Sequence, residues 1–281
     1  MRGFVESQIG RASTLVSRIA LAFAALACAS APAKSNDQPL RVMSYNIQYG
    51  NEGLDSVIAV IKAAKPDLVG LQEVDVHWAE RSGFANQAEQ LAKGTGMEYR
   101  FAHIYRLAND DAAKPPREFG VGVLSRYPIV SFRNHVIARL STQEEAPVPK
   151  PLPGFLEATI DVKGTRIRVF NVHLDFRRDP AVRAQQVADM LAVLGQINGY
   201  AIMFGDLNAP PDAPELSPLF QRLRDTWPYA LGPGLTFPAK SPARKIDYVL
   251  ISDGFRVSRA WVPQVYASDH LPVVADLVST R

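Results

Sequence analysis

The sequence predicts an α+β layered sandwich, with helices covering two mixed β-sheets packed face to face. Short apolar runs rich in Val and Ile outnumber the amphipathic stretches between them. Some neighbouring runs are joined by a tight turn, as in a hairpin, and others by a helical pattern. No repeat, low-complexity tract or linker divides the domain.

The elements follow in order. Leu40–Tyr45 reads as a strand, then a Gly turn leads to a helix over Leu54–Ala64. Lys65-Pro66 ends that helix, and Asp67–Gln72 reads as a buried strand. A second helix covers about Phe84–Lys93 and is closed by Gly94 and Gly96. Strands are expected near Tyr99–Tyr105, Gly120–Leu124 and Ile129–Ile137. Ser141–Pro153 is polar and Pro-rich and reads as a loop. Phe155–Val162 and Arg166–His173 form a hairpin turned at Lys163-Gly164. Ala181–Leu194 is a helix, Tyr200–Phe204 a short strand and Pro210–Pro218 a loop. Strands at Ile246–Ile251, Phe255–Trp261 and Val273–Val278 complete the chain.

The first residues have a different character. Arg2, Arg11 and Arg18 form a basic region, Ile19–Ala29 is an uncharged apolar run, and small residues follow. An apolar run this short falls below the ~20 residues of a membrane span, so residues 1–33 read as a signal peptide. An uncleaved anchor and lipidation at Cys28 are the alternatives. The expected organisation is thus a leader over 1–33, a short extension over 34–39 and a catalytic domain over 40–281, exported to the periplasm or beyond. Cys28 is the single cysteine, so the domain has no disulfide, thiolate metal site or cysteine nucleophile. The leader holds three arginines and one glutamate, leaving the rest of the chain at +1 of the formal +3. Such near-neutrality gives no global electrostatic footprint for a polyanion.

Polar residues recur at the strand ends: Asn46, Glu73, His173, then Asp206 and Asn208, Asp247 opening a strand, and Asp269-His270 before the last one. Singly, each is an ordinary turn former or a satisfied polar residue. Together they offer hard oxygen donors and two histidines with nothing soft among them. That donor set suits Mg²⁺, Mn²⁺ or Ca²⁺.

The stretches Ser44-Tyr45-Asn46-Ile47, Leu71-Gln72-Glu73-Val74-Asp75, Gly205-Asp206-Leu207-Asn208, Ile246-Asp247-Tyr248 and Ser268-Asp269-His270-Leu271-Pro272 resemble successive motifs of the endonuclease/exonuclease/phosphatase family. That family includes pancreatic-type deoxyribonucleases and abasic-site endonucleases. The resemblance spans about Arg41 to Leu277, and the chain looks most like the small exported bacterial members. It implies a four-layer α/β/β/α sandwich with the site at one end of the two sheets. It further implies a hydrolase that cleaves a phosphate ester, a diester by preference, using Mg²⁺ or Mn²⁺ and an activated water. Glu73 would be the main metal ligand, with Asn46 and Asp269 beside it. Asp206 would orient and deprotonate the water, and Asn208 would hold the phosphate. Asp247 would order His270, which acts as base or as charged stabiliser. His173 would bind a phosphoryl oxygen or protonate the leaving group.

Many relatives carry a Gly-Asn pair where this chain has Gly120-Val121. Arg117 and Glu118 just upstream are candidate substrate residues, or a surface ion pair. The substrate classes in view are nucleic acid, a phospholipid headgroup and an inositol phosphate. The last two would suit a phosphomonoesterase, and an inactive binding module on the same fold is the reading from another class. No obligate protein partner is evident, and a monomer is expected.

Overall fold

The computed structural model describes residues 38–228 and 231–280. The segment read as a leader, including Ile19–Ala29 and Cys28, lies outside the described residues.

The elements run β1 (Leu40–Asn46), α1 (Leu54–Ala64), β2 (Leu68–Val76), α2 (Gln87–Thr95), β3 (Glu98–Leu107), β4 (Arg117–Ser125), β5 (Ile129–Arg139) and β6 (Lys150–Val162). They continue as β7 (Thr165–His173), α3 (Ala181–Leu194), β8 (Tyr200–Asp206), α4 (Ser217–Phe220), β9 (Arg224–Asp225), β10 (Asp247–Ile251), β11 (Phe255–Trp261) and β12 (Val273–Ser279). They form two six-stranded mixed sheets, in the orders β11-β12-β1-β2-β4-β3 and β5-β6-β7-β8-β10-β9.

Local chemistry sets several boundaries. Lys65 takes a left-handed conformation at the end of α1, and Pro66 bars any further turn. Asn86 accepts the Glu89 N–H at 3.1 Å, so α2 starts at Gln87 and not at Phe84. Gly96, at φ 69°, closes α2, whereas Gly94 lies within the helix, where a side chain would strike Ile58.

Ser141–Pro153 is shorter as a loop than the sequence suggests, because β6 begins at Lys150 and pairs with β5 through Pro151 and Leu152. Pairing of β6 with β7 starts only at Leu156. Pro151 and Pro153, two residues apart, therefore sit where a missing N–H breaks no ladder bond on the open side. Within Pro210–Pro218, a 3₁₀ turn over Pro214–Leu216 leads into α4, with Pro218 in its tolerant first turn.

Three apolar layers hold the sandwich. Val42, Leu68, Val169, Ile202, Phe204 and Val249 lie between the sheets. Val57, Ile61 and Leu91 of α1 and α2 pack on Met43, Tyr45 and Val69. Val187 and Met190 of α3 and Leu219 of α4 pack on Phe170, Met203 and Leu250. The sheets approach closely where Phe204 meets Gly70, since a Cβ at position 70 would fall 2.2 Å from the Phe204 Cβ.

A polar cross-tie lies in the same inter-sheet layer. Asn171 of β7 donates to the carbonyls of Leu71 at 2.8 Å and Gly122 at 2.7 Å, and accepts from Gln72 Nε2 at 2.7 Å. All three partners belong to the opposite sheet. Val121, fully buried, joins the inter-sheet core and offers no polar contact.

Candidate active site

Strand register assembles half of the site without any help from loops. His173 is paired with Asp206 across β7 and β8, and Asp206 with Asp247 across β8 and β10. These three residues form one row at an end of the second sheet. From the first sheet, Asn46 ends β1 and Asp269-His270 immediately precede β12. Glu73 lies in β2 where the pairing with β4 slips between Leu71 and Val74. It is the left-handed residue of that bulge, at φ 57°, which turns its carboxylate out of the regular alternation.

Hydrogen bonds join the two halves. The Asn46 Nδ2 donates to Glu73 Oε1 and to Asp206 Oδ2, both at 3.0 Å. Its Oδ1 accepts the Gln48 N–H at 3.0 Å, so Asn46 orients both carboxylates. His270 Nδ1 lies 2.9 Å from Asp247 Oδ2, and its Nε2 lies 3.7 Å from Asp206 Oδ2. His173 Nε2 reaches the same Asp206 oxygen at 3.5 Å. Ser268 Oγ donates to the Asn46 carbonyl at 2.8 Å and accepts the His270 N–H at 3.2 Å, fastening the β11–β12 loop to β1. The Asn208 N–H donates to Asp206 Oδ1, and its side-chain amide donates to the Leu174 carbonyl, both at 3.0 Å.

The electrostatics separate the roles. Burial alone would lower the His270 pKa, but the carboxylates of Asp247 and Asp206 and the hydrogen bond to Asp247 raise it to about 10. His270 is therefore an imidazolium at neutral pH. Burial pushes the Asp206 carboxyl up and the charge of Asp247 adds to this, against His270, His173 and the Asn46 amide. Asp269 is also raised, chiefly by burial and with a contribution from the charge of Glu73, while His270 and Ser268 oppose the shift.

The donor set fits a divalent cation. Glu73 and Asp269 are partly exposed carboxylates that repel one another, and a cation between them would relieve that repulsion. Asn46 has one Oδ1 lone pair left to offer. The buried group Asp206, Asp247 and His270, with ligand atoms within 4.8 Å of one another, could also bind a metal. There the His270 Nδ1 is already engaged by Asp247.

Arg117 and Glu118 open β4 and contact other side chains. Glu118 pairs with Arg106 at 3.2 Å and faces His103 at 3.6 Å. The Arg117 guanidinium lies 5.9 Å from the Trp78 ring centroid, and its buried Nε has no hydrogen-bond partner. The sequence reading missed Ser268, Gln72, Asn171 and Arg139. Ser268 and Gln72 stand inside the quoted motifs, and Asn171 two residues before His173. Arg139 had no such signal. It is buried and donates to the carbonyls of Pro153, His173 and Gly154 at 2.9–3.0 Å. Burial lowers its pKa to about 10.

A model described as the endonuclease/exonuclease/phosphatase family matches residues 43–270. Among solved structures, the endonuclease/exonuclease/phosphatase from Beutenbergia cavernae superposes with a TM-score of 0.63 at 24% identity, covering 86% of this chain and 72% of that one. A mannosyl-6-phosphatase from Bacteroides thetaiotaomicron gives 0.62 at 19%, covering 85% and 99%. The human Nocturnin catalytic domain with bound sulfate gives 0.62 at 21%, covering 86% and 94%. A search of curated protein sequences finds no significant match.

Proposed function

Because this chain belongs to the endonuclease/exonuclease/phosphatase family, we propose that it is a divalent-metal-dependent phosphodiesterase that attacks its substrate with an activated water. The observation that carries this reading is the placement of Asp206 between two histidines, hydrogen-bonded through Asn46 to Glu73.

Glu73 and Asp269, with Asn46, would hold Mg²⁺ or Mn²⁺, which when bound polarises a phosphoryl oxygen and offsets charge on the leaving oxygen. Asp206 is the base, because a carboxylate whose pKa is raised by burial takes a proton more readily. It accepts the proton as the water oxygen bonds to phosphorus. His270, whose pKa the neighbouring carboxylates raise, is poorly suited to be that base. Its Nε2–H instead donates to a non-bridging oxygen and stabilises charge developing there. Asp247 keeps the ring in that orientation. Asn208 has one amide N–H free of Leu174 to hold a second phosphoryl oxygen. His173, 3.5 Å from Asp206, lies on the side of attack and would hold a phosphoryl oxygen, while the leaving oxygen takes a proton from solvent as the ester bond breaks, yielding a phosphomonoester and an alcohol.

The test compares bis(p-nitrophenyl) phosphate with p-nitrophenyl phosphate, in Mg²⁺ or Mn²⁺ and in chelator. Metal-dependent turnover with the diester preferred supports the proposal. Preference for the monoester would make the protein a phosphomonoesterase, and absence of turnover on both would favour a binding module. A panel of DNA, RNA, sphingomyelin and phosphoinositides would then identify the natural ester.

A further inference from the structure

Next to the cluster lies a cavity of about 200 Å³ whose walls include side chains that this mechanism does not use. Glu73 and His173 border it on the side of the reacting phosphate, and Tyr105, Phe119, Phe176 and Arg139 line the remainder. Tyr105 and Phe119 are neighbours across β3 and β4, with rings stacked at 6.3 Å and 16° between their planes. Trp78 packs against both, at 6.2 and 5.8 Å, so this aromatic surface is braced. The Tyr105 hydroxyl accepts the Thr142 N–H at 2.9 Å, tying the β5–β6 loop to the same wall. Arg139 links three backbone carbonyls on β6 and β7, which fixes the strand ends around the cavity before any ligand arrives.

Phe176, in the turn after β7, is 63% exposed. A large apolar ring left in water at the edge of a preformed cavity gains contact area when a second ring enters. Asp175 is paired with Arg177, and Arg139 is committed to three carbonyls, so beyond Glu73 the walls offer an entering group no free charge and a neutral group is favoured. The volume admits one ring.

We propose that this cavity seats a planar aromatic ring carried by one ester substituent of the substrate, which deepens the phosphodiesterase reading and rests on it. Ring recognition would hold the phosphate against Asp206 and His173, and it would select aryl or nucleoside esters over alkyl ones.

Calorimetric titration of the Mg²⁺-loaded protein with methylphosphonate, phenylphosphonate and thymidine monophosphate tests this without turnover. Phenylphosphonate should bind roughly tenfold more tightly than methylphosphonate. That ratio should fall towards one in Phe176→Ala, whose side chain is exposed and which should fold normally, and also in Phe119→Leu. Thymidine monophosphate binding as tightly as phenylphosphonate would assign the ring to a nucleobase. If it bound only as weakly as methylphosphonate, the ring would be a simple aryl group. A wild-type ratio near one, or an undiminished ratio in Phe176→Ala, would overturn the inference. Metal-dependent diester hydrolysis could survive that result, so the two readings fail separately.

Discussion

The imidazole of His270 presents its Nδ1 to both oxygens of Asp247, at 2.9 and 3.2 Å, in a setting that buries both residues. A buried charge pair of this kind binds its partners into one functional unit. His270→Ala should lower kcat by roughly 10²–10⁴ with little change in KM. Asp247→Asn should lose part of that effect, and the double variant should be hardly worse than His270→Ala alone. Steady-state kinetics on the four proteins decide the point, and losses that multiply would show that the residues act independently.

The same pair fixes a pH dependence. The folded-state pKa of His270 is raised from 6.5 to about 10, so its contribution to stability is fully present below 6.5 and is lost as pH rises through 10. In chelator, the imidazole resonances of His270 should titrate with a midpoint near 10. In Asp247→Asn that midpoint should move down. A wild-type midpoint close to that of free histidine would refute the buried imidazolium.

Glu73→Gln preserves shape at the β2 bulge while removing one carboxylate charge. The apparent Mg²⁺ affinity and the turnover at limiting Mg²⁺ should fall together, by about tenfold or more. Calorimetric Mg²⁺ titration gives an independent reading, and unchanged binding there would remove Glu73 from the metal site.

Gly70→Ala should destabilise the fold by about 1–3 kcal/mol or more, because the added methyl would lie 2.2 Å from the Phe204 Cβ. Gly122→Ala, whose nearest contact would be an ordinary 3.6 Å, serves as the mild in-sheet comparison. Denaturant midpoints for the two variants measure the difference.

Local pattern made much of this fold legible. Leu54–Ala64, Ala181–Leu194 and Phe255–Trp261 have the bounds that their periodicity and flanking residues predict. The site candidates were visible because strand ends place polar residues in fixed motifs, and the eight positions from Asn46 to His270 do converge. What remained hidden depends on pairing between distant segments. The early start of β6 follows from which side of Pro151 and Pro153 is unpaired. The aromatic wall requires the β3–β4 register that sets Tyr105 beside Phe119. Arg139 gains its meaning only from carbonyls up to 34 residues away.

The cross-tie through Asn171 and the contact of Phe204 with Gly70 have a mechanical corollary. Asn46, Glu73 and Asp269 ride on one sheet, while His173, Asp206 and Asp247 ride on the other. Sliding one sheet over the other by roughly one ångström would part Asn46 from Asp206 and leave every ladder intact, and misplacements of that size can slow chemistry about a hundredfold. Turnover is therefore the most sensitive gauge of how firmly the two slabs are clamped. Residues outside the catalytic set, Asn171 and Gly70 among them, govern catalytic alignment as tolerances in a hinge-free joint. Mild denaturant should extinguish activity while the far-ultraviolet dichroism still reads as native.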